Sequence, residues 1–186
     1  NLSLLESPEF KTKTFFVDNA KEFFEFRNQN FDQENSFFIN KNTKIKKGDD
    51  VVILAVYCNE DKLSKLQKKI IKSYKIEGFK VLLVVACSDI NFYNLEIEND
   101  CDIELIRNNM GYDFGSWSTA ISVFNNLSSA NTISLTNDSV CLVNYDLKRL
   151  SLLKSKIKNS RNDIVFLTEN KEIFQHNQSY FFTFKE

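Results

Sequence analysis

Val51-Val-Ile-Leu-Ala-Val-Tyr57 is an unbroken apolar run, and Val81–Cys87 is a second. Runs without polar alternation belong to strands buried on both faces, and such strands occur where helices cover both sides of a parallel sheet. Between the two runs, Leu63, Leu66, Ile70, Ile71 and Tyr74 keep the 3.6-residue period of a helix. Asp61 falls near the positive end of that helix and Gly78 just past its finish. A buried strand, a helix and another buried strand make a crossover unit that sets two strands parallel.

The alternation continues down the chain. A polar loop leads to a third strand around Cys101–Arg107, and Ser116 opens a helix carrying Trp117, Ala120, Ile121, Phe124 and Leu127. Thr132–Thr136 reads as a strand, and Leu147, Leu150, Leu153 and Ile157 line a helix. Ile164–Thr168 and Tyr180–Phe184 supply two more strands. The expected fold is α/β, a Rossmann-like and mostly parallel sheet with helices on both faces in three layers. Residues 51–186 form the main domain in this reading, and residues 1–50 a helical or irregular N-terminal extension. Within the extension, Val17, Ala20, Phe23, Phe24 and Phe26 suit one amphipathic helix, and Lys41–Asp50 a polar connector. The chain opens on Asn1 and closes directly after a strand-like run, so a piece of a longer protein, truncated at its carboxyl end, is expected.

Composition narrows the function classes. With 24 basic and 25 acidic residues the net charge is -1, which gives no support to a nucleic-acid surface. No run approaches the ~18 apolar residues of a membrane span. The cysteines at 58, 87, 101 and 141 show no metal-ligand spacing and His176 is the only histidine, which argues against structural zinc. Cysteines inside apolar runs behave as small buried hydrophobes, and reduced thiols fit a cytoplasmic setting.

In parallel sheets, ligands bind outside the carboxyl ends of the strands. Here those ends are Tyr57-Cys-Asn-Glu60, Ser88-Asp89, Arg107-Asn-Asn-Met-Gly-Tyr-Asp113, Thr136-Asn-Asp-Ser139 and Thr168-Glu-Asn170. Asn137, Asp138 and Ser139 offer hard oxygen ligands suited to Mg²⁺ or Mn²⁺ carrying a diphosphate, although by spacing alone the same three common turn formers read more readily as a turn. Gly111 and Gly115 allow close backbone approach before a helix whose N-terminus favours an anion, although neither GxGxxG nor Walker spacing is present. Asp113 can accept a hydrogen bond from a sugar or base, or simply cap that helix. Tyr57 can stack on a base or cover the core edge. Arg107 can meet a phosphate or pair with Asp102 or Glu104. His176 alone reads more readily as structural than catalytic, and Ser139 and Ser179 lack the partners of a serine hydrolase.

Val51–Glu60 resembles the opening strand of GT-A glycosyltransferases of the family 2 type, which ends in Tyr-Asn-Glu, with Cys58 inserted here. Asn109-Met-Gly-Tyr-Asp-Phe-Gly-Ser-Trp117, Leu135-Thr-Asn-Asp-Ser139, Phe166-Leu-Thr-Glu-Asn170 and Gln175-His-Asn-Gln-Ser-Tyr-Phe181 are together similar to the rhamnan synthesis protein F family. The resemblance covers roughly residues 51–184. It implies a GT-A-like domain transferring a sugar from a nucleotide-sugar donor to a glycan or lipid-linked acceptor, inverting and metal-assisted. Tyr57, Asn59, Ser88 and Asp89 would surround the nucleoside, with Arg107, Gly111 and Asn137 also on the donor. Asp113 would face the donor sugar or ribose. Asp138 would stand for the metal-binding Asp-x-Asp motif, of which one carboxylate is kept. Glu169 is the first candidate for the base and His176 the second. The expected location is the cytoplasm, peripherally at the inner face of the membrane. The reduced motif also suits an inactive glycan- or nucleotide-binding module, and an unrelated doubly wound domain is a third reading.

Overall fold

The computed structural model describes residues 37–93, 99–139, 147–166, 169–170, 176–177 and 181–185. The sequence-predicted helix at 17–26 and Cys141 lie outside them. Among the described residues the elements are β1 (Phe37–Asn42), β2 (Asp50–Cys58), α1 (Lys65–Ile76), β3 (Lys80–Cys87), β4 (Ile103–Asn108), α2 (Tyr112–Val123), β5 (Thr132–Asn137), α3 (Leu147–Asn159), β6 (Ile164–Phe166), β7 (Glu169–Asn170), β8 (His176–Asn177) and β9 (Phe181–Lys185).

The fold is α/β, with a mixed, mostly parallel sheet of seven strands in the order β1-β4-β3-β2-β5-β9-β6. Strands β4, β3, β2 and β5 run parallel, as the crossover pattern requires. The flanks are not parallel: β1 pairs antiparallel with β4, and β9 antiparallel with both β5 and β6. Residues 37–42, left within the extension by the sequence reading, are therefore an edge strand. Phe37, Phe38 and Ile39 stay exposed on it, so no inward apolar face announced it.

β2 and β3 are buried on both faces, and period-two alternation sorts their side chains into two cores. Val52, Leu54, Val56, Val81, Leu83 and Val85 meet Ile70, Ile71 and Tyr74 of α1 and Leu150, Leu153 and Ile157 of α3. Val51, Ile53, Ala55, Leu82 and Val84 meet Trp117 and Ala120 of α2, with Phe124 and Leu127 just beyond its end.

α1 begins at Ser64, whose hydroxyl accepts from Gln67 N while Gln67 accepts from Ser64 N, a reciprocal capping box. It ends where Gly78, at φ +76°, lets its N–H reach Lys75 O while Phe79 N–H reaches Tyr74 O. The Tyr74 and Phe79 rings meet edge to face 5.8 Å apart across that turn. Leu66 differs from the sequence expectation, being 44% exposed; Gln67 takes its place on the buried face at 8%. The inward positions are 63, 67, 70, 71 and 74, a better fit to the helical period than one through 66.

Two buried acids are anchored differently. Glu104, 1% exposed, accepts from Asn40 at 2.7 Å, Asn99 at 2.6 Å and Tyr93 at 3.2 Å, which ties β1 to β4. Asp102 accepts from Val81 N at 2.9 Å and pairs with Lys75 at 2.8 Å and Lys80 at 3.5 Å. Burial alone would raise the Asp102 carboxyl, but the Lys75 hydrogen bond, the Val81 amide and the two lysine charges outweigh it and hold the pKa below the ordinary 3.8. A carboxyl lowered by folding stabilises the protein above its unfolded pKa and ceases to do so as pH falls through its folded pKa. Equilibrium unfolding measured from pH 5 downward should therefore show an acid limb below about pH 4, and Asp102→Asn should flatten it.

Candidate functional site

The chain leaves β2 toward β3 and β4 on one side and returns to β5 on the other, so the strand order reverses between β2 and β5. At such a reversal the connections diverge and a crevice opens at the carboxyl ends. The residues there are Tyr57 and Asn59 at the end of β2 and Asn137 and Asp138 at the end of β5, with Ala55 opposite Asn137 in the ladder. Burial stops abruptly at this point: Val56 is 1% exposed and Tyr57 44%.

On the β3 side, the Tyr57 hydroxyl donates to Asn59 Oδ1 at 3.1 Å and lies 2.8 Å from Ser88 Oγ. These bonds hold an exposed ring at the crevice edge, where one face can meet an aromatic ligand. The structure thus brings together three of the four residues expected around a nucleoside. The fourth, Asp89, accepts from the backbone and side chain of Asn91, both at 2.9 Å, and caps the short turn Ile90–Phe92. Cys58 continues β2 on its inner face, its thiol donating to the carbonyls of Glu60 and Lys62. Burial pushes the Cys58 thiol up, and that of Cys87 to about 12.

On the β5 side, neighbouring residues serve opposite faces of the sheet. Asn137 donates to Asp113 Oδ2 at 2.6 Å on the α2 side. Asp138 accepts on Oδ2 from Gln67 Nε2 at 2.8 Å, on the α1 side. The same Gln67 nitrogen donates to Tyr57 O at 2.9 Å, and Asp138 N donates to Ala55 O at 3.1 Å. Gln67 is the site residue that sequence reasoning missed. Its signal was present as Ser64-Lys-Leu-Gln67, a capping-box spacing that puts a long amide at a helix start facing strand ends.

α2 begins earlier than Ser116. Gly111, at φ +71°, is its N-cap, and Asp113 lies in the first turn, where a negative charge suits the helix dipole. Trp117 anchors this end by donating from Nε1 to Thr136 O at 3.0 Å, which brings Asp113 to the tip of β5. Arg107, 2% exposed, lies under the turn and donates to Met110 O at 2.7 Å and weakly to Ser116 Oγ at 3.5 Å. Of the two alternatives for Arg107, the pairing with Asp102 or Glu104 does not occur among the described residues. In a strand, 104 and 107 point to opposite faces, and Asp102 precedes β4 with its own lysine partners. Burial pushes the Arg107 pKa below its ordinary 12.5.

Glu169 and His176 lie on β7 and β8, which pair antiparallel with Asn170 opposite His176 and Glu169 opposite Asn177. Their backbones are thus one register step apart.

For a divalent cation shared with a diphosphate, the tip of β5 offers one partly exposed carboxylate, Asp138. Asp138 keeps Oδ1 without a partner among the described residues, and the buried Asn137 Oδ1 has none either. Mg²⁺ and Mn²⁺ favour one or two carboxylates plus phosphate oxygens over an all-protein cage. No cage-like group of three His, Cys, Asp or Glu occurs among the described residues. A cavity of about 380 Å³ opens at the opposite, amino-terminal edge of the sheet, beside Asp50 and Thr132. There Lys154 is held by Glu77 O, Gly78 O and Asp50 and lies over the Phe79 ring.

The chain matches no family model, no curated protein and no solved structure.

Gly115 is the tightest point of the α2 turn. A methyl there would lie 2.0 Å from Met110 O and 2.8 Å from Arg107 Nη1. Gly115→Ala should therefore lower stability by about 3 kcal/mol in denaturant unfolding, whereas Ser122→Ala on the same helix should change it little.

Proposed function

We propose that this chain is a GT-A-like, Rossmann-type glycosyltransferase domain. In this reading it moves a sugar from a nucleoside-diphosphate donor to a growing cell-surface polysaccharide or lipid-linked glycan. The observation that carries the reading is Asp138, whose carboxylate stands at the reversal of strand order with one oxygen anchored and the other open. The motif resemblance supports it, since Asp138 occupies the place of the Asp-x-Asp motif there.

In this reading Tyr57, Asn59 and Ser88 hold the nucleoside, the ring stacking on the base while the hydroxyl and amide read its edge. Asp113, steadied by Asn137, accepts a hydroxyl of the donor sugar or ribose. Arg107 shapes the Met110–Gly115 turn from beneath and adds positive potential toward the diphosphate, as does the N-terminus of α2. Asp138 would hold Mg²⁺ or Mn²⁺, which would neutralise charge growing on the departing diphosphate. Inverting transfer also needs a base to take the proton of the attacking acceptor hydroxyl. Glu169 is the first candidate and His176 the second. The acceptor places the reaction on the cytoplasmic side of the membrane, with the domain peripheral to it. No helix among the described residues is long and apolar enough to cross a membrane.

The single carboxylate at 137–139 favours a second reading, a nucleotide- or glycan-binding module without transfer. Thermal unfolding with each of UDP, GDP, ADP, CDP and dTDP, with and without Mn²⁺, separates the two. At a hundredfold excess over its Kd, a ligand bound only by the folded state adds about 2.7 kcal/mol, or about 5–10 °C for a chain of this size. The transferase reading expects a Mn²⁺-dependent rise with one nucleotide that Asp138→Ala removes. A rise indifferent to Mn²⁺ and to Asp138→Ala selects the binding module, and no rise with any nucleotide overturns the transferase reading and the nucleotide-binding form of the second.

A further inference from the structure

We infer that Gln67 is the positioning residue for Asp138, fixing which carboxylate oxygen faces the crevice; the inference rests on the donor-site reading above. The amide of Gln67 has three neighbours of fixed chemistry. Ser64 N–H can only donate, so it takes Oε1, at 2.8 Å. Tyr57 O and the ionised Asp138 can only accept, so they take Nε2, at 2.9 and 2.8 Å. One donor and two acceptors leave a single orientation for the amide. It is 8% exposed, with little water to substitute for any of the three.

A helix cap alone would not need this arrangement. The capping box uses only Oε1 and the backbone N–H of Gln67. The two N–H groups of the amide are surplus to it, and both are spent on the strand ends that form the crevice. One is on β2, the other on the carboxylate after β5. Gln67 therefore couples the β2 end, the α1 start and the β5 end in one rigid bridge. Engaging Oδ2 restrains the Asp138 carboxylate and leaves Oδ1 without a partner among the described residues. Partners that orient a metal-binding carboxylate typically account for 10–100-fold in metal affinity.

The test compares variants that separate capping from positioning, using titration calorimetry of Mn²⁺ together with the nucleoside diphosphate that binds best in the panel. Gln67→Met keeps the volume and loses both the cap acceptor and the bond to Asp138. Ser64→Ala removes a capping bond and leaves the bridge to Asp138. The expected result is a 10–100-fold weaker Mn²⁺-dependent affinity in Gln67→Met and a change under twofold in Ser64→Ala, although both melt earlier than the wild type. Equal losses in the two variants would mean that only the helix end matters, and would overturn the inference. Unchanged affinity in Gln67→Met while Asp138→Ala abolishes binding would overturn it too and leave the donor-site reading standing. Absence of Mn²⁺-dependent binding in the wild type would overturn both. Circular dichroism confirms folding; should Gln67→Met not fold, Gln67→Asn takes its place, retaining an amide one methylene too short to span to Asp138.

Discussion

Strand β2 is the element on which the rest of the molecule depends. It is hydrogen-bonded to β3 on one edge and β5 on the other, so its backbone groups are satisfied without water. Val52, Leu54 and Val56 feed the core beneath α1 and α3, while Val51, Ile53 and Ala55 feed the core beneath α2. Each side chain is removed almost wholly from water, and burying one of this kind stabilises by roughly 1.5–3 kcal/mol.

The candidate site lies where that constraint ends. On the face that carries Val51, Ile53 and Ala55 burial ends at Tyr57, which emerges with its carbonyl bonded to Gln67 and its ring outside, while Cys58 on the other face stays buried. The tip of β5 does the same with two residues, Asn137 turned to α2 and Asp138 to α1, because the pleat alternates. Two buried carboxylates elsewhere have both sides met by donors: Glu104 is surrounded by amides and a phenol, and Asp102 by an amide and lysines. At the β5 tip the Asn137 carboxamide and the Asp138 carboxylate each keep an oxygen without a hydrogen-bond partner among the described residues.

The legible parts of the fold were those governed by local rules. The parallel core followed from two apolar runs separated by a helical period, and the end of α1 from Gly78. The α2 start was misplaced because its N-cap is a left-handed glycine followed by Tyr112 at φ +51°, and no Ser, Thr, Asn or Asp marks it. Strand β1 was missed because its apolar residues face outward at an edge. Leu66 was assigned inward because hydrophobicity was weighed above spacing; the buried position belonged to a polar residue with three partners. Tyr57, Asn59, Ser88, Asp113 and Asn137 were named from their places at strand ends, but the Tyr57–Ser88 and Asn137–Asp113 pairings were not visible, since they join residues 31 and 24 positions apart.

By itself the sequence determined the α/β class, the parallel centre of the sheet and the edge at which polar residues gather, because apolar periodicity and strand-end position are local quantities. Tertiary structure alone decided that β9 inserts antiparallel between β5 and β6, that Arg107 lies under the Met110–Gly115 turn on the face opposite Glu104, and that Gln67 reaches Asp138. These depend on register and on which elements pack together. Hydrogen bonds between residues 71 positions apart, as between Gln67 and Asp138, are set by the topology that brings two strand ends and a helix start to one point.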